Sequence, residues 1–464
     1  MAGNDEGQAP IFDALRRLAV TPEQRIDVDD MRVVDLNNEG RPAEAETLAR
    51  RTLAAARHLN YEAGVAAVMS SLSYALSFQG RLPEALAVVE AYWPVVERLP
   101  DADPTHFNSR AMLLDNLGRP LEAIPLHQQA FERLMRRGDA TNAMTSLGNL
   151  AVSFTERGQL RAAQRSLARL EALRSAHDAG DGIGVTFMLV AIGVERGLGC
   201  HTQALAWAQR AQEHLERDLS GYLPLVGMGR AAVWTELGQL ARAQQSLPAA
   251  AAIAGLPPWL AARRLQYAAR LRQALGHDAL DSVAAAAQLI GDDTLRSVRE
   301  SVTLQLASLR GTAADLDAIV ALGDAARQQG REGIALAADL RAAELAAALG
   351  MHHAAMHHAG RARQALGDDR DGDAAVSAAD LSDAEAWLML ARAFKACSRD
   401  ADAVDGLARG LAWVASVAVE QVPAEFLDSF LHRNAAHREL LTAAAREPTL
   451  AGSLAALRSL ALSR

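Results

Sequence analysis

One short pattern recurs along the first half of the chain at a nearly constant interval. A glycine stands at the start of a polar or proline-containing turn, and an alanine follows five residues later. Successive glycines are 40, 38, 40, 41 and 39 residues apart, and the pattern occurs at Gly40 and Ala45, Gly80 and Ala85, Gly118 and Ala123, Gly158 and Ala163, Gly199 and Ala204, and Gly238 and Ala243. Such a regular interval is typical of a chain built from repeated supersecondary units.

Each of these turns joins two segments that have helical periodicity. Before Gly158, Leu147, Leu150 and Phe154 are three or four residues apart, and the same apolar spacing returns over residues 160–170. Glycine readily takes the left-handed conformation that ends a helix, and alanine allows two helix axes to approach closely. The pattern therefore predicts a series of helical hairpins.

Composition supports an all-α protein and excludes several functions. Alanine makes up about a fifth of the chain and only 4% of the residues are aromatic, which favours closely packed helices. Lys395 is the only lysine, and no glycine-rich turn precedes it, so the phosphate-binding loop of nucleoside triphosphatases is excluded. The formal net charge of -9, without a basic stripe, argues against direct nucleic-acid binding.

The hairpin pattern resembles the tetratricopeptide repeat family, in its longer bacterial form. The family places bulky apolar, small and aromatic residues on the first helix, glycine at the turn and alanine on the second helix, which matches Leu147, Leu150, Ala151, Phe154, Gly158 and Ala163. The interval near 40 residues is longer than the family's usual 34. The resemblance implies a right-handed superhelical solenoid of about ten antiparallel helical hairpins, with a concave groove lined by the first helices.

The pattern divides the chain into five predicted parts. Residues 1–24 form an N-terminal cap, residues 25–250 a well-marked array, and residues 251–366 a degenerate array with turns at Gly276, Gly311 and Gly350. Residues 367–383 are rich in Asp, Gly and Ser and predict a surface loop or a short disordered insertion. Residues 384–464 form a last hairpin, with Ser398 in place of the turn glycine, followed by capping helices.

The C-terminal helices carry apolar residues that we expect to cover the open end of the stack, namely Phe426, Phe430, Leu431 and Leu440. This segment resembles the closing segments of tetratricopeptide arrays in regulators of the MalT-like type. The nucleotide-binding module and the DNA-reading helices of such regulators are not recognisable in this sequence, so their activity is not carried over.

The sequence carries no recognisable catalytic motif, and we expect neither an enzyme nor a cofactor. A histidine cluster, formed by His352, His353, His357 and His358, would place two imidazoles one helical turn apart and suggests a metal. The buried position predicted for Ala355 instead favours histidines on the solvated flanks, so we expect no metal site. His432 and His437 are similarly predicted to lie at a solvated helix end.

By the family pattern, groove residues lie nine positions before each turn. The candidates for contact with a partner are Ser71, Ser109, Asn149, Tyr267 and Arg341, and the same position holds Gly229 and Met389 in other hairpins. The Asn149 carboxamide can donate and accept hydrogen bonds along an extended peptide, and a surface asparagine satisfied by water is the alternative.

These observations predict a non-catalytic module that binds a protein or peptide in its groove, as a regulatory or sensory part of a bacterial signalling or transcription system. One alternative is a small-molecule sensor with a pocket near Tyr222, Trp234, Trp259 and Tyr267. Another is a scaffold that forms a homodimer. The polar N-terminus, the lack of a long apolar stretch and two distant cysteines favour a cytoplasmic protein without a membrane segment.

Overall fold

The structure is a computed structural model that describes residues 9–99, 102–177, 184–218, 223–254, 258–291, 296–367 and 372–463. Every regular element within these residues is a helix. The chain divides into two compact units, residues 1–146 and residues 147–464. The predicted all-α class is therefore confirmed.

The first unit begins with one short helix and continues with paired helices that pack against their neighbours in chain order. Its helices are α1 (Ala9–Leu18), α2 (Pro22–Asn38), α3 (Pro42–His58), α4 (Glu62–Phe78), α5 (Leu82–Arg98), α6 (Thr105–Asn116) and α7 (Pro120–Arg137). The boundary between the units falls within α8 (Ala140–Glu156).

The second unit continues the same alternation to the end of the chain. Its helices are α9 (Leu160–Ala176), α10 (Val185–Gly197), α11 (His201–Asp218), α12 (Leu223–Glu236), α13 (Leu240–Ser246), α14 (Pro258–Ala274), α15 (Leu280–Gln288), α16 (Arg296–Arg310), α17 (Ala313–Gln328), α18 (Glu332–Ala348), α19 (His352–Leu366), α20 (Asp383–Ala396), α21 (Asp400–Glu420), α22 (Leu427–His432), α23 (Ala435–Ala444) and α24 (Ala451–Ser463). Hairpins run from α2–α3 to α20–α21, which makes ten in the described part of the chain.

The predicted turn chemistry is confirmed at all six glycines of the repeat, which have φ between 69° and 78°. After α8, for example, the N–H of Gln159 donates to the carbonyl of Phe154 at 2.8 Å, which satisfies a carbonyl at the helix end. The degenerate turns follow the same geometry, and even Ser398 has a φ of 58°. The left-handed turn therefore continues into the part of the chain where the sequence pattern fades.

The six alanines that follow these glycines are fully buried, each with 0% exposure. Ala163 shows why a small residue is needed, because it belongs to one buried cluster with Ala151 of α8, Leu167 of α9, and Ala191 and Val194 of α10. Three helices meet at this position, and close packing leaves no room for a longer side chain.

The C-terminal helices α23 and α24 pack against the last hairpin, α20–α21, as expected, and the C-terminal segment also reaches back to earlier hairpins. They contact the turns of earlier hairpins in the second unit: Gln239 Nε2 donates to Ser429 Oγ at 2.7 Å, and Asn434 Nδ2 donates to the carbonyl of Glu236 at 2.8 Å. Phe426 packs edge-on against Trp234, with ring centroids 5.4 Å apart. The second unit is thus closed on itself by these contacts.

This closure also corrects the prediction for His437, which is only 2% exposed. Its ring lies 4.3 Å from that of Phe430, and Nδ1 hydrogen bonds the Phe430 carbonyl at 2.8 Å. His432 is exposed, as predicted.

The histidine cluster of α19 is mostly on the surface. Its exposed members are His352, His353 and His357, whereas His358 is buried and hydrogen bonds Asp339 at 2.9 Å.

Replacing Ala163 by leucine tests the packing at the repeat alanines. We expect Ala163→Leu to lower the free energy of unfolding by about 1–3 kcal/mol, because the added atoms enter a fully packed three-helix contact. Ala168 lies on the same helix and is exposed, so Ala168→Leu is the matched control. Urea unfolding of both variants measures the difference, and equal stability of the two would contradict the register.

Candidate binding site in the second unit

The segment between α19 and α20 occupies the interior of the second unit. Of the predicted surface loop, residues 368–371 lie outside the described residues, but residues 372–382 are described. Ser377, Ala378 and Ser382 are buried, at 7%, 5% and 7% exposure. The prediction of a surface loop is therefore wrong for residues 377–382, whose small side chains fit between helices, whereas Asp373 and Ala374 are exposed as predicted.

This segment pairs through its backbone with the turn at Gly158 and with the first turn of α18 at Gly333. The N–H of Ser377 donates to the carbonyl of Gly158 at 2.8 Å, and the N–H of Ala379 donates to the carbonyl of Gly333 at 2.9 Å. A Cβ atom at Gly158 would lie 2.7 Å from both Gly333 Cα and the Ser377 carbonyl oxygen. The close contact at Gly158 therefore requires glycine. Residues 375–378 lie between two turns, which the N–H groups of Ala375 and Leu381 close, and the segment is held by main-chain hydrogen bonds of the kind that bind peptides.

Asp380 comes directly after the paired residues and lies in a polar cluster. Its φ of 58° is left-handed, a conformation that aspartate tolerates better than most residues. The carboxylate accepts a hydrogen bond from the Ser301 hydroxyl and lies 3.7 Å from the Arg263 guanidinium. Arg270 donates to the Asp380 carbonyl oxygen. The residue is thus held by side chains of α14 and α16.

The electrostatics of the cluster favour charged carboxylates on the segment and at the start of α20. Burial by itself raises the pKa of Asp380, but Arg263, the Ser301 hydroxyl and Arg196 outweigh burial and hold this pKa well below its usual range. The pKa of Glu385 is lowered as well, because Arg270, at 3.0 Å, outweighs its burial. Both carboxylates are ionised at neutral pH and stabilise the arginines around them.

A first cavity of about 290 Å³ lies beside Asp380. Trp259, Tyr267 and Arg263 line it together with apolar residues of α10 and α12. Two of the four aromatic residues predicted to form a pocket thus meet here. Trp234 packs against Phe426 instead, and Tyr222 lies outside the described residues.

A second cavity, of about 410 Å³, also borders Asp380. Side chains of the first helices of four successive hairpins, α14, α16, α18 and α20, line it, among them Arg270, Gln305, Arg341 and Met389. Because the first helices are those expected to face a groove, this cavity lies on the predicted binding face of the second unit.

The predicted groove residues occupy different environments. Ser71 is 8% exposed, and its carbonyl accepts a hydrogen bond from Asn37 of α2, so it has almost no surface to offer a partner. Ser109 and Asn149 are partly exposed on α6 and α8. Tyr267 lines the first cavity and Arg341 the second.

Sequence reasoning missed Arg263, Arg270, Gln305 and Asp380. Arg263 lies thirteen residues before the turn at Gly276, and Arg270 and Gln305 lie six residues before their turns. Positions thirteen, nine and six before a turn share one helix face, so polar residues at these positions could have indicated a binding face. No comparable pattern marks Asp380, because its position depends on long-range contacts.

Within the described residues, no group of three or more His, Cys, Asp or Glu side chains is arranged to hold a metal ion. None of the described helices combines the length and apolar character needed to span a membrane.

Comparison with known families gave no matching family model and no matching curated protein. Among solved structures, the chain is similar to one from the crystal structure of the APC/C hetero-tetramer Cut9-Hcn1, with a TM-score of 0.35, 11% identity, and coverage of 97% of this chain and 92% of that one. A chain from the structure of Naa15/Naa10 bound to HypK-THB gives a TM-score of 0.21 and 14% identity, over 97% of this chain and 70% of that one. Both scores are low, so the fold assignment depends on the helices and turns described above.

Removing the Asp380 charge tests the role of the polar cluster. We expect Asp380→Asn to lower the free energy of unfolding by about 1.5–3 kcal/mol, since it leaves Arg263 beside a neutral group in a partly buried site. Asp400→Asn is the control, because Asp400 pairs with Lys395 on the surface, where ion pairs contribute little. Urea unfolding compares the two, and the cluster has no structural role if both variants match the wild type.

Proposed function

We propose that the protein is a non-catalytic, tetratricopeptide-like binding module with a regulatory role. In this proposal its second unit recognises an extended protein segment on the face formed by the first helices. The segment 372–382 of the chain itself occupies that site in the absence of a partner. A partner would present a similar stretch of small residues that pairs through its backbone and is followed by a carboxylate.

The backbone pairing of Ser377 and Ala379 with Gly158 and Gly333 is the observation that carries this proposal. Main-chain hydrogen bonds give affinity for an extended segment, and side-chain sites at fixed positions along it give selectivity. Asp380 would supply the selectivity, because its carboxylate lies among arginines. Ser109 and Asn149 remain candidates for further contacts with a partner.

Self-occupancy supports a regulatory role. A partner can occupy the site only if it displaces the internal segment, so binding would couple to a change in the connection between α19 and α20. The resemblance of the C-terminal helices to those of MalT-like regulators also supports a regulatory role. The sequence composition favours a bacterial, cytoplasmic protein.

Binding of the segment in trans tests the proposed recognition. We would replace residues 374–381 by a Gly-Ser stretch of equal length and add a fluorescent peptide of residues 373–382. We expect saturable binding in fluorescence anisotropy to the replaced protein, and much weaker binding to the wild type, whose site is filled.

Two altered peptides are the controls for this experiment. A peptide N-methylated at Ser377 and Ala379 lacks both N–H donors, and a peptide with Asp380→Asn lacks the carboxylate. Both should bind at least about tenfold more weakly, as expected for the loss of paired hydrogen bonds or of a charge-assisted contact. Equal binding of all three peptides by a folded protein would contradict the proposal.

Gly158→Ala tests whether the segment depends on close approach at this turn. Gly276 has a similar φ, +78° against +75°, but nothing lies within 4 Å of its added Cβ, so Gly276→Ala isolates the cost of the left-handed backbone. We expect Gly158→Ala to lower the free energy of unfolding by about 1–3 kcal/mol more than the control does, because Gly333 and Ser377 must move away from the added methyl group. Thermal and urea unfolding measure this difference, and equal losses would argue against the contact.

A further inference from the structure

The second cavity contains polar groups that the protein itself leaves unused. Its volume of about 410 Å³ is within the range of small-molecule sites. Apolar side chains form one part of its wall, namely those of Leu309, Leu345, Leu381 and Met389. Polar side chains form the rest of the wall. Some of them are paired with other described residues, and others are not.

Arg341 is the cation in this wall without a committed partner. Its guanidinium forms no hydrogen bond or salt bridge with any described residue, and the residue is half-buried in the cavity wall. Glu385 is paired with Arg270 at 3.0 Å, and Glu344 with Arg392 at 3.0 Å. Burial and the nearby Arg270 lower the pKa of Arg341, whereas the carboxylates around it, Glu385 and Glu344 among them, act in the opposite direction without pairing with it. A ligand carboxylate would pair with Arg341 directly.

Gln305 is the second unused group. Its side chain is only 8% exposed, and its Oε1 atom has no hydrogen-bond partner within the described part of the chain. Buried carbonyl groups of this kind are rarely left unpaired in proteins. Gln305 lines the same cavity as Arg341, so a ligand that donates an N–H group would satisfy Oε1 once the amide turns this atom from its buried position toward the cavity.

We propose that this cavity binds a small ligand of the free amino-acid type. Its carboxylate would pair with Arg341, its nitrogen would donate to Gln305 Oε1, and an apolar side chain would contact Leu309, Leu345 and Met389. This site goes beyond the proposed recognition of a protein segment, and it does not require that segment to bind in trans.

A panel of the twenty free amino acids, with the carboxamide of each, tests this site on the full chain. We expect at least one amino acid with an apolar side chain to raise the melting temperature at millimolar concentration and to give a dissociation constant by calorimetry. Its carboxamide should bind about tenfold more weakly or not at all, because the pairing with Arg341 needs a charged carboxylate.

Two variants assign the ligand to this cavity. Arg341→Gln and Gln305→Leu should each weaken binding about tenfold or more. Arg341→Gln should not lower the melting temperature of the ligand-free protein, since Arg341 has no hydrogen-bonded partner to lose and its charge is disfavoured there. Arg272→Gln, an exposed arginine of α14 outside the cavity, is the matched control and should bind as the wild type does.

The proposal is overturned if no amino acid in the panel binds, if the carboxamide binds as tightly as the acid, or if both variants retain wild-type affinity. Binding only of peptides with a free C-terminus, without any free amino acid, also overturns it. These outcomes are distinct from failure of the segment-binding experiment, which uses neither Arg341 nor Gln305.

Discussion

The close approach of Gly158 and Gly333 is the contact on which the interior of the second unit depends. The turn at Gly158 and the first turn of α18 can come this near only where neither residue carries a Cβ atom, and both carbonyl groups accept hydrogen bonds from the segment. The N–H groups of Ser377 and Ala379 satisfy those carbonyls. Without this pairing, the buried Gly158 carbonyl would lose the donor that satisfies it, which is costly in a closed interior.

The backbone pairing fixes the position of Asp380, and this position determines which charged side chains meet in the interior. The segment brings one carboxylate among arginines of α10 and α14, and the chain then enters α20 with Glu385 beside Arg270. Asp380 also borders both cavities. A molecule bound in either cavity would therefore contact the segment that the proposed partner displaces, which links the two proposed binding events through one residue.

The repeat could be predicted from the sequence because its cause is local. A left-handed turn needs glycine or a tolerant substitute, and a close helix crossing needs alanine, so both leave a mark at fixed spacing. The same spacing selected Tyr267 and Arg341, which line the two cavities, and Ser71, which is buried. The inward course of residues 372–382 could not be predicted, because acidic and small residues are typical of exposed loops and the partners lie far along the chain. His437 was misjudged for the same reason.

Amide hydrogen exchange of the unmodified protein, read residue by residue by mass spectrometry with electron-based fragmentation, tests the central claim most directly. The account predicts that the amides of Ser377 and Ala379 exchange slowly, as buried donors to Gly158 and Gly333 should, and much more slowly than that of the exposed Asp373 on the same segment. Exchange of Ser377 and Ala379 at the rate of an unprotected peptide would contradict the claim that the second unit holds this segment as an internal ligand.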